Sequence, residues 1–219
     1  MIIEFYGLPA SGKTTDAEAL LEKYDNSVEL ISYTRSLKKI KKLPYIFTPE
    51  FLSFFFKVVT LFMKKKNKIR FDFRVFYTFC CIYIRYMYLR KDKTYDYYII
   101  DHGIIQNIVS ALWNESSLAV CGEKLISHMG KHFSDDILLI YTVNSDNENI
   151  YSRIANREKE IRIKKYSVEE AKKILEIQAE VFEKLTAEAD RHFNILKINS
   201  LDSFESCFEK ICGCIEKVN

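Results

Sequence analysis

The residues Gly7-Leu8-Pro9-Ala10-Ser11-Gly12-Lys13-Thr14 follow directly on the apolar run Ile2-Ile3-Glu4-Phe5-Tyr6. A G-x-x-x-x-G-K-[ST] spacing after a short apolar run is the phosphate-binding P-loop pattern. Each part has a physical task. Glycines let backbone N–H groups curl around phosphate oxygens with no Cβ in the way. Lys13 sets a cation against the terminal phosphates, and the Thr14 hydroxyl is a ligand for Mg²⁺. A helix over Lys13–Tyr24 puts the partial positive charge of its N-terminus behind the same phosphates. The candidate nucleotide-binding set is Gly7, Ala10, Ser11, Gly12, Lys13, Thr14 and Thr15.

Three further groups of residues have chemistry to offer. Tyr97-Tyr98-Ile99-Ile100-Asp101 is an apolar run that ends in an acid. Beside the first strand of a parallel sheet, its carboxyl end opens into the same crevice as the P-loop. Asp101 there either holds Mg²⁺ through water or takes a proton from an acceptor hydroxyl. An aspartate at a strand end also serves as a turn former. His102 follows, as a contact to phosphate or acceptor or as a structural group. Arg153 and Arg157 are spaced i, i+4 after a polar turn at Asn144–Asn149, which puts both guanidiniums on one helix face. Arginines that close over a triphosphate stabilise the charge spread across a transferring phosphoryl group. A salt-bridged, solvated helix is the other reading of this charge-rich stretch. Arg35 ends the second apolar run at the rim of the crevice, placed to pair with an acceptor phosphate or carboxylate.

The elements that must position these groups are legible as an alternation. Short β-rich runs recur at Ile2–Tyr6, Val28–Tyr33, Tyr95–Ile100, Ile137–Val143 and Phe193–Ile198, with helically spaced stretches between them. That pattern predicts an α/β fold, a five-stranded parallel sheet with helices on both faces. A long insert, from about Thr34 to Thr94, separates the second and third strands, with helices expected over Pro49–Lys65 and Ile69–Lys91. It is rich in Phe and Tyr and carries many cations, among them Arg74 and Arg85. Its apolar stretch Phe51–Phe62 is too short to span a bilayer. The insert reads as a helical cap on the core, compatible with an acceptor pocket lined by Arg74 and Arg85. Contact with anionic lipid is a third reading.

Length and composition set outer bounds. A chain of 219 residues, 48% of them hydrophobic, supports one sizeable core, so a single domain over 1–219 is expected. A net charge of +3 gives no ground for a nucleic-acid partner. No basic-then-apolar leader precedes the P-loop. The six cysteines form no paired C-x-x-C knuckles, and Cys212-Gly213-Cys214 is a weak metal signal. Free thiols fit a reducing cytoplasm.

The arrangement resembles the P-loop kinases of small molecules, and among them the thymidylate kinase-like group. Gly7–Thr14 looks like the family's phosphate loop, with Ala10 where many members have a third glycine. Thr34-Arg35 looks like the start of its Thr-Arg-Glu-Pro motif, but Ser36 and Leu37 replace the acid and the proline. Asp101-His102 looks like its Asp-Arg pair, with histidine for arginine. Arg153, Arg157 and Arg162 look like its arginine-bearing lid. The resemblance implies a three-layer P-loop sandwich with a lid at 153–166. It implies phosphoryl-transfer roles for Asp101, Arg153 and Arg157, and homodimers are common in the group. The departures at Ser36-Leu37 and at His102 fall on the acceptor side.

The reading that results is an ATP- and Mg²⁺-dependent kinase. Lys13, Asp101, Arg153 and Arg157 are its catalytic candidates, Thr14 and Asp101 its metal ligands, and Arg35, Arg74, Arg85 and His102 its acceptor contacts. A nucleotide or nucleoside is the expected acceptor. A sugar or other hydroxyl metabolite is the alternative, as is a non-catalytic ATP-binding module docked through its insert.

Overall fold

Every residue of Ile2–Gly7 (β1) is buried, as expected of a strand covered on both faces of a parallel sheet. The computed structural model describes residues 1–31, 44–63, 73–100, 102–112, 119–144, 146–156 and 162–218. β1 pairs in parallel with Tyr97–Ile100 (β3) on one side and with Ile137–Val143 (β4) on the other. Val28–Ile31 (β2) adds to β3, and Asn194–Asn199 (β5) adds to β4. The five strands therefore run β2-β3-β1-β4-β5, all parallel. Because β1 lies between β3 and β4, the segments that leave the carboxyl ends of all three strands meet at one edge of the sheet.

Parallel strands require crossovers, and helices supply them. Among the described residues these are Lys13–Tyr24 (α1), Pro49–Met63 (α2), Phe73–Lys91 (α3), Ile104–Leu112 (α4), Ala119–Phe133 (α5), Asn147–Ala155 (α6), Val168–Ala189 (α7) and Phe204–Val218 (α8). Alternation along the strands divides the core in two. Ile3 and Phe5 join Ile99, Leu138 and Ile140 under α1 and α8. Ile2 and Tyr6 join Tyr98, Ile100, Leu139 and Tyr141 under the larger layer built from α2, α3, α4, α5 and α7. Glu4 falls on this second face, fully buried.

The predicted sheet and the long insert are both present. Strand ends differ from the expected ones by one or two residues where both are described. β3 starts at Tyr97 rather than Tyr95, and β5 covers Asn194–Asn199. α2 stops at Met63 and α3 begins at Phe73. The insert's aromatics do act as a cap. Phe54 stacks on Tyr83 with ring centroids 4.1 Å apart, and Tyr83 and Tyr86 both pack on Phe133 of α5. Others stay outside: Phe56, Met63, Phe73 and Tyr77 are exposed. No helix of the described residues is long and apolar enough to cross a membrane. Cys212 and Cys214 lie two residues apart on α8, about 200° apart around the helix, a poor arrangement for a shared metal.

Because Phe54 belongs to the main core, the insert should unfold with the sheet. Phe54→Ala should cost about 3–5 kcal/mol. Urea unfolding should remain one transition when followed by both far-UV circular dichroism and Trp113 fluorescence. Two separated transitions would show the insert to be an independent unit.

Candidate active site

The P-loop bends through three residues with positive φ. Gly7 has φ 145°, and a Cβ there would lie 2.4 Å from the carbonyl oxygen of Thr142 on β4. Only glycine allows β1 and β4 to approach this closely at the loop's entrance. Gly12, at φ 105°, is the N-cap of α1, and no atom lies within 4 Å of where its Cβ would stand. Its glycine is needed for conformation rather than space. Ala10 stands at φ 62°. A left-handed alanine costs about 1 kcal/mol or more, so the departure from glycine noted in the sequence is accommodated as local strain.

Lys13 is buried inside this curl. Its Nζ donates to the Gly7 carbonyl oxygen at 3.1 Å, the Leu8 carbonyl oxygen at 2.6 Å and Ser11 Oγ at 3.1 Å. Thr14 and Thr15 stand exposed in the first turn of α1. Gly12 supplies no side-chain cap to that helix, so first-turn N–H groups are left for an anion. A cation, a positive-φ loop and an uncapped helix N-terminus suit the phosphates of a nucleotide. The Thr14 hydroxyl offers a hard oxygen ligand of the kind Mg²⁺ prefers.

Beside the loop opens a cleft of about 270 Å³, lined among others by Gly12, Thr15, Asp16, Thr142, Arg153 and Ser200. It brings Arg153, exposed on α6, to the same space as the P-loop. The Thr142 hydroxyl is buried there with no hydrogen-bond partner among the described residues. Burial pushes the Asp16 carboxyl up to about 6, against the opposing pull of Lys13. Sequence reasoning missed both residues. Asp16 reads there as an ordinary acid in a helix's first turn, and Thr142 as one more strand residue.

α6, which carries Arg153, ends at Ala155 with Asn156 as its C-cap. Arg157, expected to share a helix face with Arg153, lies outside the described residues, as do Arg35 and Asp101. Arg74 lies in the first turn of α3, its side chain outside the description. Arg85 is buried on α3 next to Tyr86. His102 is exposed in the turn after β3, and its carbonyl accepts a hydrogen bond from Asn107 Nδ2 at 3.0 Å.

That turn rests on a residue the sequence did not single out. One Glu4 oxygen accepts the Ile105 N–H at 3.1 Å, and the other accepts the Tyr86 hydroxyl. The Tyr86 oxygen in turn accepts the Ile104 N–H at 3.2 Å. A Cβ on Gly103 would lie 1.9 Å from Glu4 Cδ, so only glycine lets the turn settle on the carboxylate. Gln106, one residue further along α4, accepts the Gly7 N–H at 3.3 Å. An acid in the middle of an apolar strand was the available signal, since a buried carboxylate requires partners.

No protein-family model matches this sequence, and no curated protein matches it. Solved structures do. One is a deoxyadenosine kinase from M. mycoides with bound dATP: 16% identity, 99% of each chain covered, TM-score 0.53. The same enzyme with dCMP and a flexible dCDP bound gives 16% identity, 99% and 100% coverage and a TM-score of 0.55. The YorR protein of Bacillus subtilis, in complex with phosphorylated GDP, gives 12% identity, 99% and 96% coverage and a TM-score of 0.56. At these identities the likeness shows the fold alone: a five-stranded parallel sheet with helices on both faces.

Burial also pushes the Glu4 carboxyl up from its ordinary 4.5 to about 7, against the Tyr86 hydroxyl and the N–H groups of residues 104 to 106. The native state therefore keeps a proton that the unfolded chain has released over that interval. Its contribution to stability is complete below about 4.5 and is lost as pH rises through about 7. Urea midpoints of the wild type should fall across this window more steeply than those of Glu4→Gln. Parallel profiles would show that Glu4 does not titrate there. Gly103→Ala should destabilise by about 2–3 kcal/mol through the clash with Glu4, read from the same urea curves.

Proposed function

We propose that this chain is a kinase that moves the γ-phosphoryl group of ATP to a nucleoside or nucleotide. The observation that carries the reading is Lys13 seated within a positive-φ loop, in front of an uncapped helix N-terminus, on the central strand of this fold. The likeness to a deoxyadenosine kinase supports the acceptor class.

In this mechanism the amides of the Gly7–Thr14 loop and the Lys13 ammonium bind the donor phosphates. Binding requires Lys13 to exchange loop carbonyls for phosphate oxygens, a change of partner within a site already built for a cation. Thr14 and Asp101 would hold Mg²⁺, which would offset the charge of the phosphates. Asp101 receives or orients the acceptor hydroxyl. Arg153, with Arg157, closes over the transferring group and excludes water. Thr15, Asp16 and Thr142 border the cleft that would take the rest of the donor. Arg35, Arg74, Arg85 and His102 remain the acceptor-side candidates. We place the chain in the cytoplasm, a reducing compartment that suits its six cysteines.

The test is ADP release with ATP and Mg²⁺ against a panel of nucleosides, nucleoside monophosphates and sugars. Stimulation by nucleosides or their monophosphates is expected. Stimulation by sugars alone would move the acceptor class, and ATP binding without stimulation would support a non-catalytic module. Lys13→Ala should lower kcat/KM about a hundredfold or more with the fold intact. Arg153→Ala should lower kcat more than it weakens ATP binding, and equal losses would argue against a lid that acts in the transition state.

A further inference from the structure

We propose that Glu4 is a positioning residue for this site. Its buried carboxylate fixes where the turn after β3, at His102 and Gly103, stands relative to the P-loop. The inference rests on the kinase reading above.

Four other helix starts are capped from nearby in sequence. Thr48 accepts from Phe51 at the start of α2, Asp146 from Asn149 at α6, Ser167 from Glu170 at α7 and Ser203 from Ser206 at α8. A local cap of this kind satisfies the first-turn N–H groups wherever the helix happens to lie. α4 is held differently. Its Ile105 N–H reaches a carboxylate 101 residues earlier in the chain, and its Ile104 N–H reaches Tyr86, 18 residues earlier on α3. These bonds satisfy the same backbone groups, but they also fix the helix start to β1 and α3.

Stability alone does not call for this arrangement. Position 4 is in the middle of the central strand, where an apolar side chain would be buried with no desolvation cost. The carboxylate is instead carried into the core, and Gly103 is stripped of a side chain to meet it. What the arrangement achieves is registration. Glu4 stands three residues before Gly7 on the same strand, and Gln106 of α4 accepts the Gly7 N–H itself. Asn107 closes the turn from the other side, through bonds from Nδ2 to the carbonyls of His102 and Gly103. The first glycine of the P-loop and the turn after β3 are thus tied to one rigid strand. Phosphoryl transfer depends on such alignment, because misplacement by about 1 Å can cost about a hundredfold in rate.

Three variants test this: Glu4→Ala, which removes the acceptor, and Glu4→Gln and Tyr86→Phe, which keep side-chain volume. Each is assayed for folding by circular dichroism, for amide exchange at residues 104 to 106, for ATP binding and for turnover of the acceptor found active with the wild type. The expected result for Glu4→Ala is faster exchange, a kcat lower by about tenfold or more and an ATP Kd within about twofold of wild type. Glu4→Gln should recover part of both exchange protection and kcat, since its amide oxygen still accepts one N–H. Tyr86→Phe should lie between Glu4→Gln and Glu4→Ala. Should Glu4→Ala not fold, the other two carry the test. Unchanged kcat in folded variants would overturn the positioning role, as would losses in kcat and ATP affinity of equal size. A wild type that turns over no acceptor would overturn the kinase reading, and with it the place of Glu4 in a transfer reaction. Turnover in the wild type matched by the variants overturns the positioning role alone.

Discussion

β1 is enclosed on all sides: strands pair with both of its edges and helices cover both of its faces. Its enclosure has a consequence for everything at the carboxyl edge of the sheet. The chain that leaves β1 has to turn away sharply, with the β4 backbone pressed close at Thr142. Gly7 makes that exit, and the P-loop that follows is held between the neighbouring strands' own exits. The phosphate cradle is therefore built by the same constraint that builds the core.

The polar groups buried around this edge follow from that geometry. Lys13 is buried inside the loop, where loop carbonyls and Ser11 accept from it. Glu4 cannot reach water, and it collects a hydroxyl and the start of a helix. Each is a charged residue type placed where solvation is lost, and each is matched by directed hydrogen bonds. The Thr142 hydroxyl, beside the cleft, is buried without such a match among the described residues.

The insert shows how the same demand is met on the larger face. α2 and α3 send Phe54, Tyr83 and Tyr86 onto α5 and the sheet, where their rings close over strands that would otherwise meet water. The helices are amphipathic in an unusual sense, since part of their outer surface is aromatic as well. The inner rings carry the packing. Tyr86 also carries a polar task, because its hydroxyl lies between Glu4 and α4.

The sequence by itself determined the alternation of strands and helices, the position of the P-loop and the length of the insert. These are local matters: residue spacing, apolar period and the glycines a tight turn requires. It also placed β3 beside β1, because an acid-ended apolar strand in a parallel sheet has few other places to go. The end of α6 at Ala155 was not legible, since a charge-rich stretch keeps helical spacing whether or not the helix continues. Only the tertiary structure decided the role of Glu4. In the sequence it is one acid in a run of apolar residues. Its partners, Tyr86 and the first turn of α4, are 82 and 101 residues away, and no periodicity connects residues so distant. The same holds for Asp16 and Thr142, which share a cleft only because β4 lies next to β1. Local patterns record what the backbone does nearby, whereas a buried polar contact depends on which strands become neighbours.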